Sequence, residues 1–231
     1  MKRDNSRTMT GAMTGAMDEA MTESEGYGKE ALLKVSGNIV IIDSIAPLET
    51  LEAEASEQEL KAIEDISAPS RRAERLAWRR ALNRVAGRSV AIDYTPQGAP
   101  RLTEQISIEN SHYTHISVSH CRDKVAVMLS EYPCGIDIEQ LTRDFSRISA
   151  RYITSEERTL CHSEEFEAIA WCAKEALYKL AQTEGLDFRR DIIIEAIDLE
   201  QGTIIGHAGE LSTITLKILR PSSEHIAVAT I

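Results

Sequence analysis

The chain has 231 residues, of which 42% are hydrophobic and 27% are charged, and its formal net charge at pH 7 is -11. This length suits one large domain or two small ones, and the composition is ordinary for a soluble globular protein. The negative charge argues against a general nucleic-acid binder. No apolar run approaches the roughly 20 residues of a membrane helix, and none follows the basic residues near the N-terminus. We therefore expect no membrane partner, no secretory signal and a cytoplasmic location.

The cysteines are spaced too widely to form a CxxC pair. A zinc site or a redox motif is therefore not predicted, and in a reducing compartment the thiols are expected to be free. The four are Cys121, Cys134, Cys161 and Cys172.

Residues 1–30 carry a methionine at every fourth position from Met9 to Met21. On a helix these side chains would form one apolar stripe. Glycines and threonines in the same stretch disfavour a helix, however, and the composition favours a disordered tail.

Residues 31–114 are predicted to form the N-terminal half of the fold. β-branched residues, acidic helix formers and turn residues follow one another along this half. Its predicted elements are a strand over 35–45, an acidic helical segment over 48–66, a helix capped by Ser70 and ending near Gly87, a strand over 90–94 and a turn-rich loop over 95–100.

Residues 115–231 are predicted to form the C-terminal half. Its predicted elements are strands over 115–119, 125–130 and 135–139, short helices over 145–150 and 155–162, a long helix over 164–182 ended by Gly185, and several short strands over 191–231. The second and third of these strands are predicted to be joined by a turn around Pro133. The fold class is therefore α+β, with two similar α/β halves that each pack a small, mainly antiparallel sheet on one long helix.

The sequence Gly-Ile-Asp-Ile-Glu over residues 135–139 is the first candidate for chemistry. On a strand, Asp137 and Glu139 point to the same face while the two isoleucines point into the core. Two adjacent carboxylates repel each other unless a cation lies between them, and Mg²⁺ prefers oxygen ligands. The alternative is an amphipathic strand whose acidic residues simply face water.

The second candidate is the helical segment over residues 171–179. Glu175 and Lys179 lie one turn apart on the same face, so the carboxylate could be a metal ligand or a general base and the lysine could contact a phosphate. The alternative is an exposed ion pair of little consequence.

Two further segments could bind phosphates. Ser119 and His120 end a predicted strand, where a hydroxyl, backbone amides and an imidazole could hold an anion. Arg72, Arg75 and Arg79 share one face of the predicted helix that precedes residue 87, and guanidinium groups suit phosphates or an acidic partner. The alternatives are ordinary polar surface and a solvated helix face.

In their order along the chain, these motifs resemble those of the 4'-phosphopantetheinyl transferase superfamily, of the surfactin-synthetase-activating type. The resemblance spans roughly residues 70–188. One departure is Ala99, which stands where many relatives have a lysine and removes one possible phosphate contact. The matching segments are residues 71–79, Gly98-Ala99-Pro100, residues 116–120, 135–139, 152–156 and 171–179.

The resemblance implies a holo-[acyl-carrier-protein] synthase. Such a phosphopantetheinyl transferase moves the phosphopantetheine arm of coenzyme A to a serine of an apo acyl or peptidyl carrier protein and releases 3',5'-ADP. It also implies two halves related by a pseudo-two-fold, with coenzyme A in the cleft between them and Mg²⁺ as cofactor. A monomer with internal pseudo-symmetry is expected.

The resemblance further assigns roles to single residues. The predicted Mg²⁺ ligands are Asp137, Glu139 and Glu175, with Glu139 binding directly or through water. The predicted substrate contacts are Arg72, Arg79, Ser119, His120, Lys174 and Lys179. Glu175 and Lys179 are the predicted catalytic residues, because Glu175 matches a candidate base for the carrier serine and Lys179 is favoured over Lys174 as the phosphate contact.

Two other functions remain open from the sequence. A different magnesium-dependent phosphoesterase or nuclease could use the same carboxylates to hydrolyse its substrate with water. A non-catalytic module could bind coenzyme A without turnover.

Overall fold

A computed structural model describes residues 31–231. The predicted tail over residues 1–30, with its methionine repeat, lies outside the described residues. Residues 31–231 contain two larger antiparallel sheets, and each of them packs on one long helix. This arrangement confirms the predicted α+β class. The pseudo-two-fold between the halves stays a prediction. None of the helices in this range is long and apolar enough to cross a membrane.

The first sheet has four strands in the order β1-β2-β8-β7. They are β1 (Ala31–Val35), β2 (Asn38–Ser44), β7 (His115–His120) and β8 (Lys124–Ser130). The chain between β2 and β7 contains the helices α1 (Leu48–Glu54), α2 (Glu57–Lys61) and α3 (Pro69–Ala86) and two small hairpins, β3 (Ile92–Tyr94) with β4 (Pro100–Leu102) and β5 (Ile106–Ile108) with β6 (Ser111–Tyr113).

Helix α3 covers one face of this sheet. Its buried residues Leu76, Ala77 and Leu82 pack in one core with Ile41 and Val127 of the sheet. The helix ends at Gly87, as predicted, because that residue adopts the left-handed conformation (φ 66°) that glycine tolerates. The predicted cap at Ser70 was wrong. The helix begins one residue earlier, at Pro69, which suits the first helical position because its missing N–H would have no helical partner there.

The second sheet has five strands in the order β10-β11-β12-β13-β9. They are β9 (Ile136–Gln140), β10 (Ile192–Asp198), β11 (Thr203–Ala208), β12 (Ile214–Ser222) and β13 (His225–Thr230). Between β9 and β10 lie the short helix α4 (Ser146–Ser149), a 3-10 turn (Glu157–Thr159) and the long helix α5 (Phe166–Ala181). Helix α5 ends within one residue of the predicted end at 182, but its left-handed cap is Gln182 (φ 50°) rather than the predicted Gly185.

Strand pairing crosses the predicted boundary between the two halves, and that boundary stays a prediction. Strands β7 and β8 belong to the first sheet, so that sheet uses chain from both sides of the predicted boundary at residue 114. Strand β8 already has β2 and β7 as its two neighbours, and β9 therefore pairs with β13 instead. The turn around Pro133 carries the chain from one sheet to the other.

The two sheets meet where the edge strands β7 and β9 lie side by side. The Ile136 amide donates to the Ser117 hydroxyl at 3.1 Å. A buried apolar cluster continues the junction, with Ile42 and Met128 from the first sheet and Ile138 and Ala227 from the second. The end of β7 is thereby held against the residues of β9.

Gly135 allows β9 to lie directly against α5. A Cβ atom at this position would lie 1.9 Å from the Ala176 carbonyl oxygen, inside the backbone of the helix. We expect Gly135→Ala to lower the free energy of unfolding by about 1–3 kcal/mol or more, because a packed backbone cannot move aside freely. Urea unfolding measures the change. Gly87→Ala is the matched control, since its Cβ would meet open space and only its positive φ costs energy, about 1 kcal/mol. Equal losses in the two variants would contradict the clash.

Candidate functional site

Asp137 joins three of the segments that the sequence singles out. Its carboxylate is almost fully buried, and its Oδ1 accepts hydrogen bonds from the Ser119 hydroxyl at 2.6 Å and from the Lys179 ammonium at 2.8 Å. These partners come from β7 and α5, while Asp137 lies on β9. The alternation of β9 sends Ile136 and Ile138 into the apolar core on the other side.

The second oxygen of Asp137 has no partner. Oδ2 is buried, and no group between residues 31 and 231 donates a hydrogen bond to it. A buried polar atom without a partner costs roughly 1–3 kcal/mol, so such an atom calls for an explanation. A bound cation would supply one.

Lys179 is the cation that Asp137 contacts in this structure. Its Nζ also donates to the Ile136 carbonyl oxygen at 2.8 Å. About a quarter of the side chain, 25%, is exposed, so Lys179 is fixed by its two partners without being sealed from solvent.

Glu139 lies two residues beyond Asp137 on the same face of β9. Burial, followed by the negative charge of Asp137, raises the pKa of Glu139 to about 7. The Arg143 guanidinium pairs with this carboxylate and opposes that shift. Arg143 itself lies over the rings of Phe145, at 4.8 Å from the centroid, and Trp171, at 5.3 Å. Arg143 was not predicted from the sequence, although its position four residues after Glu139 is visible there.

Glu175 is partly buried on α5. Burial is the main cause that raises its pKa, the charge of Asp137 is the next, and Lys179 and Arg143 act in the opposite direction. Glu175 also contributes to the raised pKa of Glu139. The three carboxylates therefore repel one another across a small region.

The three carboxylates fit a hard divalent cation in donor type and in charge. All are oxygen donors, they repel each other, and Asp137 Oδ2 is buried without a partner. Their ligand atoms do not all lie within 4.8 Å of one another. Within residues 31–231, a different group of three side chains does meet this distance. Asp137, Glu139 and Glu175 thus lie in one region without converging on one point, and their role as Mg²⁺ ligands stays a prediction.

The raised pKa of Glu139 predicts a pH-dependent stability. Between the unfolded value of 4.5 and the folded value of about 7, the folded protein holds a proton that the unfolded chain has lost. Stability therefore falls as the pH rises through this window, by on the order of 3 kcal/mol from Glu139. Urea unfolding from pH 4.5 to 8 measures this slope. The slope should become shallower in Glu139→Gln, and an unchanged slope in that variant would contradict the shift.

Lys174, one of the predicted substrate contacts, has all its observed partners inside the protein. The side chain is fully buried, and its ammonium donates to Glu157 at 2.7 Å and to the carbonyl oxygens of Phe188 and Ile192 at 2.8 and 2.6 Å. All three of its donor hydrogens can be used inside the protein, which does not fit a contact with a substrate. Lys174 therefore holds α5 to the start of β10.

Glu157 is the partner that the sequence did not reveal. The motif over residues 152–156 pointed to Glu156, which is exposed, whereas the buried carboxylate is the next one along the chain. Glu157 also accepts from the Ile194 and Thr154 amides at 2.9 and 2.8 Å. Two adjacent glutamates look alike in sequence, and only the fold distinguishes them.

Residues 133–229 match the family model of the 4'-phosphopantetheinyl transferase superfamily. The matched segment contains β9 and α5, with Asp137, Glu139, Glu175 and Lys179, and the five-stranded sheet except for the last residue of β13. The match covers less than half of the chain, so it shows a likeness to phosphopantetheinyl transferases over this segment. The match does not reach the motifs over residues 71–120, and the surfactin-synthetase-activating type stays a prediction. No curated protein is significantly similar to the chain.

Ser119 and His120 lie on β7, beside the segment that matches the family model. Ser119 is buried and bonded to Asp137, as described above. His120 points toward α3, which packs on the same sheet; its Nε2 lies 3.3 Å from Glu74, and about half of the side chain (49%) is exposed. The imidazole is thus free on one side to meet a ligand.

The predicted arginines of α3 lie apart from the three carboxylates. Arg72 pairs with Glu52, and Arg79 is buried with its Nη2 donating to the Tyr94 hydroxyl at 3.1 Å. Neither guanidinium is hydrogen-bonded to Asp137, Glu139 or Glu175. The Nε atoms of both are buried without a hydrogen-bond partner in the described chain. Their contact with a phosphate stays a prediction.

A cavity of about 420 Å³ lies between helix α5 and the loop that precedes β4. Lys179 and Tyr178 line it from α5, and the loop with Gly98, Ala99 and Pro100 lines it from the other side. Two predicted substrate-binding segments, distant in sequence, therefore face the same space. Its size is within the usual range for pockets that bind small molecules.

Proposed function

We propose that the protein is a magnesium-dependent 4'-phosphopantetheinyl transferase that uses coenzyme A and an apo acyl or peptidyl carrier protein. In the reaction a serine hydroxyl of the carrier attacks the phosphorus of the pantetheine-side phosphate. A new P–O bond to the serine forms, the bond within the pyrophosphate breaks, and 3',5'-ADP leaves. The serine proton goes to a base.

The observation that carries this proposal is the environment of Asp137. A buried carboxylate with one unpartnered oxygen lies in the segment that matches the superfamily, beside two further carboxylates and Lys179. Phosphoryl transfer asks the protein mainly to position the reactants and to stabilise charge. These side chains supply fixed charges of both signs where a pyrophosphate and a cation would be needed.

Each residue then has a role in the proposal. Asp137, Glu139 and Glu175 would hold the Mg²⁺, which neutralises pyrophosphate charge when bound. Lys179 offers its exposed side to a phosphate from the wall of the cavity. Glu175 is the proposed base, because its raised pKa makes it a better proton acceptor than an ordinary glutamate.

Coenzyme A is proposed to enter the cavity between Lys179 and the loop with Ala99. Ala99 supplies no charge there, and Arg101 lines the same cavity as the nearest basic residue of the loop. His120 would add a donor at the end of β7.

A single assay tests the proposal against its rivals. The full chain is incubated with coenzyme A, Mg²⁺ and a panel of apo carrier proteins, and intact-mass spectrometry follows the carrier. A mass gain of one phosphopantetheine arm, with release of 3',5'-ADP, is expected. Coenzyme A hydrolysis without that gain would favour a phosphoesterase. Coenzyme A binding by calorimetry without turnover on any carrier would favour a binding module.

A further inference from the structure

Three side chains of metal-ligating types meet at the junction of the two sheets, near the end of the carboxylate trio, because His225 pairs with Gln140, the neighbour of Glu139. Cys121 and Asp123 lie in the turn between β7 and β8, and His225 begins β13. The sulfur, one carboxylate oxygen and one ring nitrogen all lie within 4.8 Å of one another. In the described chain no other three His, Cys, Asp or Glu side chains are gathered so closely. The first thirty residues contain neither histidine nor cysteine.

The distances in this cluster are close to those of a coordination site. Asp123 Oδ1 lies 2.9 Å from His225 Nε2 and 3.7 Å from Cys121 Sγ. Ligand atoms around a tetrahedral zinc ion are roughly 3.3–3.8 Å apart, as follows from the bond lengths to nitrogen, oxygen and sulfur. Small side-chain adjustments would therefore bring the three atoms around one ion.

The surroundings hold these side chains in position. The imidazole is buried, and its Nδ1 is bonded to the Ser222 hydroxyl at 2.8 Å, which leaves Nε2 directed at Asp123. Gln140 donates to the same Asp123 oxygen at 2.7 Å. Metal-ligating histidines are typically fixed in this way through the other ring nitrogen. The backbone turn is closed by the Cys121 amide on the Lys124 carbonyl oxygen at 2.9 Å.

We propose that Cys121, Asp123 and His225 form a binding site for a zinc-type divalent cation. Thiolate, imidazole and carboxylate are the ligands of Zn²⁺, whereas Mg²⁺ takes oxygen. Asp123 is exposed, so a fourth position is open to water. The site differs in ligand chemistry from the carboxylate trio, and it does not depend on the proposed transferase activity.

The cation would join the two halves of the fold. Cys121 and Asp123 belong to a turn of the first sheet, and His225 belongs to a hairpin of the second. Cys121 also follows directly after Ser119 and His120. Binding would therefore stabilise the sheet junction and fix the end of β7. The spacing of the cysteines in the sequence could not reveal this site, because its three side chains are brought together only by the fold.

Cobalt spectroscopy tests the site. The untagged full chain, reduced and freed of metal with a chelator, is titrated with Co²⁺. We expect a thiolate-to-cobalt charge-transfer band in the near ultraviolet and visible bands of tetrahedral cobalt, both removed by added Zn²⁺. Cys121→Ser should abolish the charge-transfer band, and Asp123→Asn should weaken binding at least tenfold, on the order found for lost contacts at metal sites. Zn²⁺ should raise the unfolding midpoint of the wild type more than that of either variant.

Matched variants separate this site from others. Cys161→Ser removes another partly buried thiol, and His207→Gln removes a histidine that pairs with Glu195 in the same sheet. Both should keep the wild-type spectrum, as should Asp137→Asn. Because His225 is buried, folding of His225→Gln is checked by circular dichroism, and the exposed Asp123 gives an independent test. A missing charge-transfer band in the wild type, or a band that survives Cys121→Ser, would overturn the proposal.

Discussion

Asp137→Ala is expected to lower phosphopantetheine transfer by at least about 100-fold while the protein stays folded. The change removes the carboxylate that Ser119 and Lys179 contact and the unpartnered oxygen that is proposed to bind Mg²⁺. Charge stabilisation in a buried site contributes several kcal/mol to phosphoryl transfer, and this side chain is the best-buried of the three carboxylates. Steady-state transfer to an apo carrier protein measures the loss.

Further variants distinguish the effect of the charge of Asp137 from the effect of the size of its side chain. Asp137→Asn keeps the size of the side chain and an acceptor for Lys179, but it places an amide where an oxygen could ligate a cation. We expect it to be as inactive as the alanine variant. Glu175→Ala should also lose transfer, whereas Glu195→Ala, an exposed carboxylate on the same sheet, should not. Retained activity in either Asp137→Asn or Glu175→Ala would refute the assignment of that residue.

Circular dichroism and urea unfolding accompany each of these variants. Lys179 keeps its bond to the Ile136 carbonyl oxygen when Asp137 is removed, so the helix α5 retains a link to β9. A variant that loses activity without losing the unfolding transition supports a role in the reaction. If Asp137→Ala does not fold, the result shows only that the carboxylate is needed for the fold. The activity of Asp137→Asn, which keeps the size of the side chain, then tests the role of the carboxylate in the reaction.

The sequence predicted the elements that carry the candidate site better than their arrangement. Residues 135–139 and 164–182 were predicted as a strand and a helix, and β9 and α5 lie there. Alternating isoleucines and a long apolar stripe are local patterns, which act over a few residues. The contact of Ser119 with Asp137 is different, because it needs the edge strands of two separate sheets to lie together. No local pattern encodes that approach.

The missed features share the same physical reason. Lys174 and Lys179 lie on one helix five residues apart, so they cannot share a face, but periodicity alone does not tell which of them is inside. Lys174 is the buried lysine because its ammonium contacts Glu157 and two carbonyl oxygens near β10. These partners are distant from Lys174 in sequence. The helix start at Pro69 and the left-handed cap at Gln182, which was expected at Gly185, were missed because several nearby residues could serve as caps.

The buried pair of Lys174 and Glu157 leads to the largest expected effect on stability. Lys174→Ala should lower the free energy of unfolding by about 3–5 kcal/mol, because it leaves Glu157 charged and buried without its partner. Both side chains are almost completely inaccessible to water, at 0% and 2% exposure, so water cannot replace the lost contact. Urea unfolding measures the change, with Lys61→Met as a control that replaces an exposed helical lysine and should cost under about 0.5 kcal/mol.

A double substitution distinguishes a broken ion pair from a simple cavity. Replacing both partners, as in Lys174→Met with Glu157→Gln, removes both charges while it keeps most of the volume, so it should cost less than the sum of the two single changes. Glu157→Gln also retains acceptors for the Ile194 and Thr154 amides. Strict additivity would mean that the two charges do not stabilise each other. A loss of under about 1 kcal/mol in Lys174→Ala would mean that the ammonium is not buried as described, and Lys174 would again be available to a substrate.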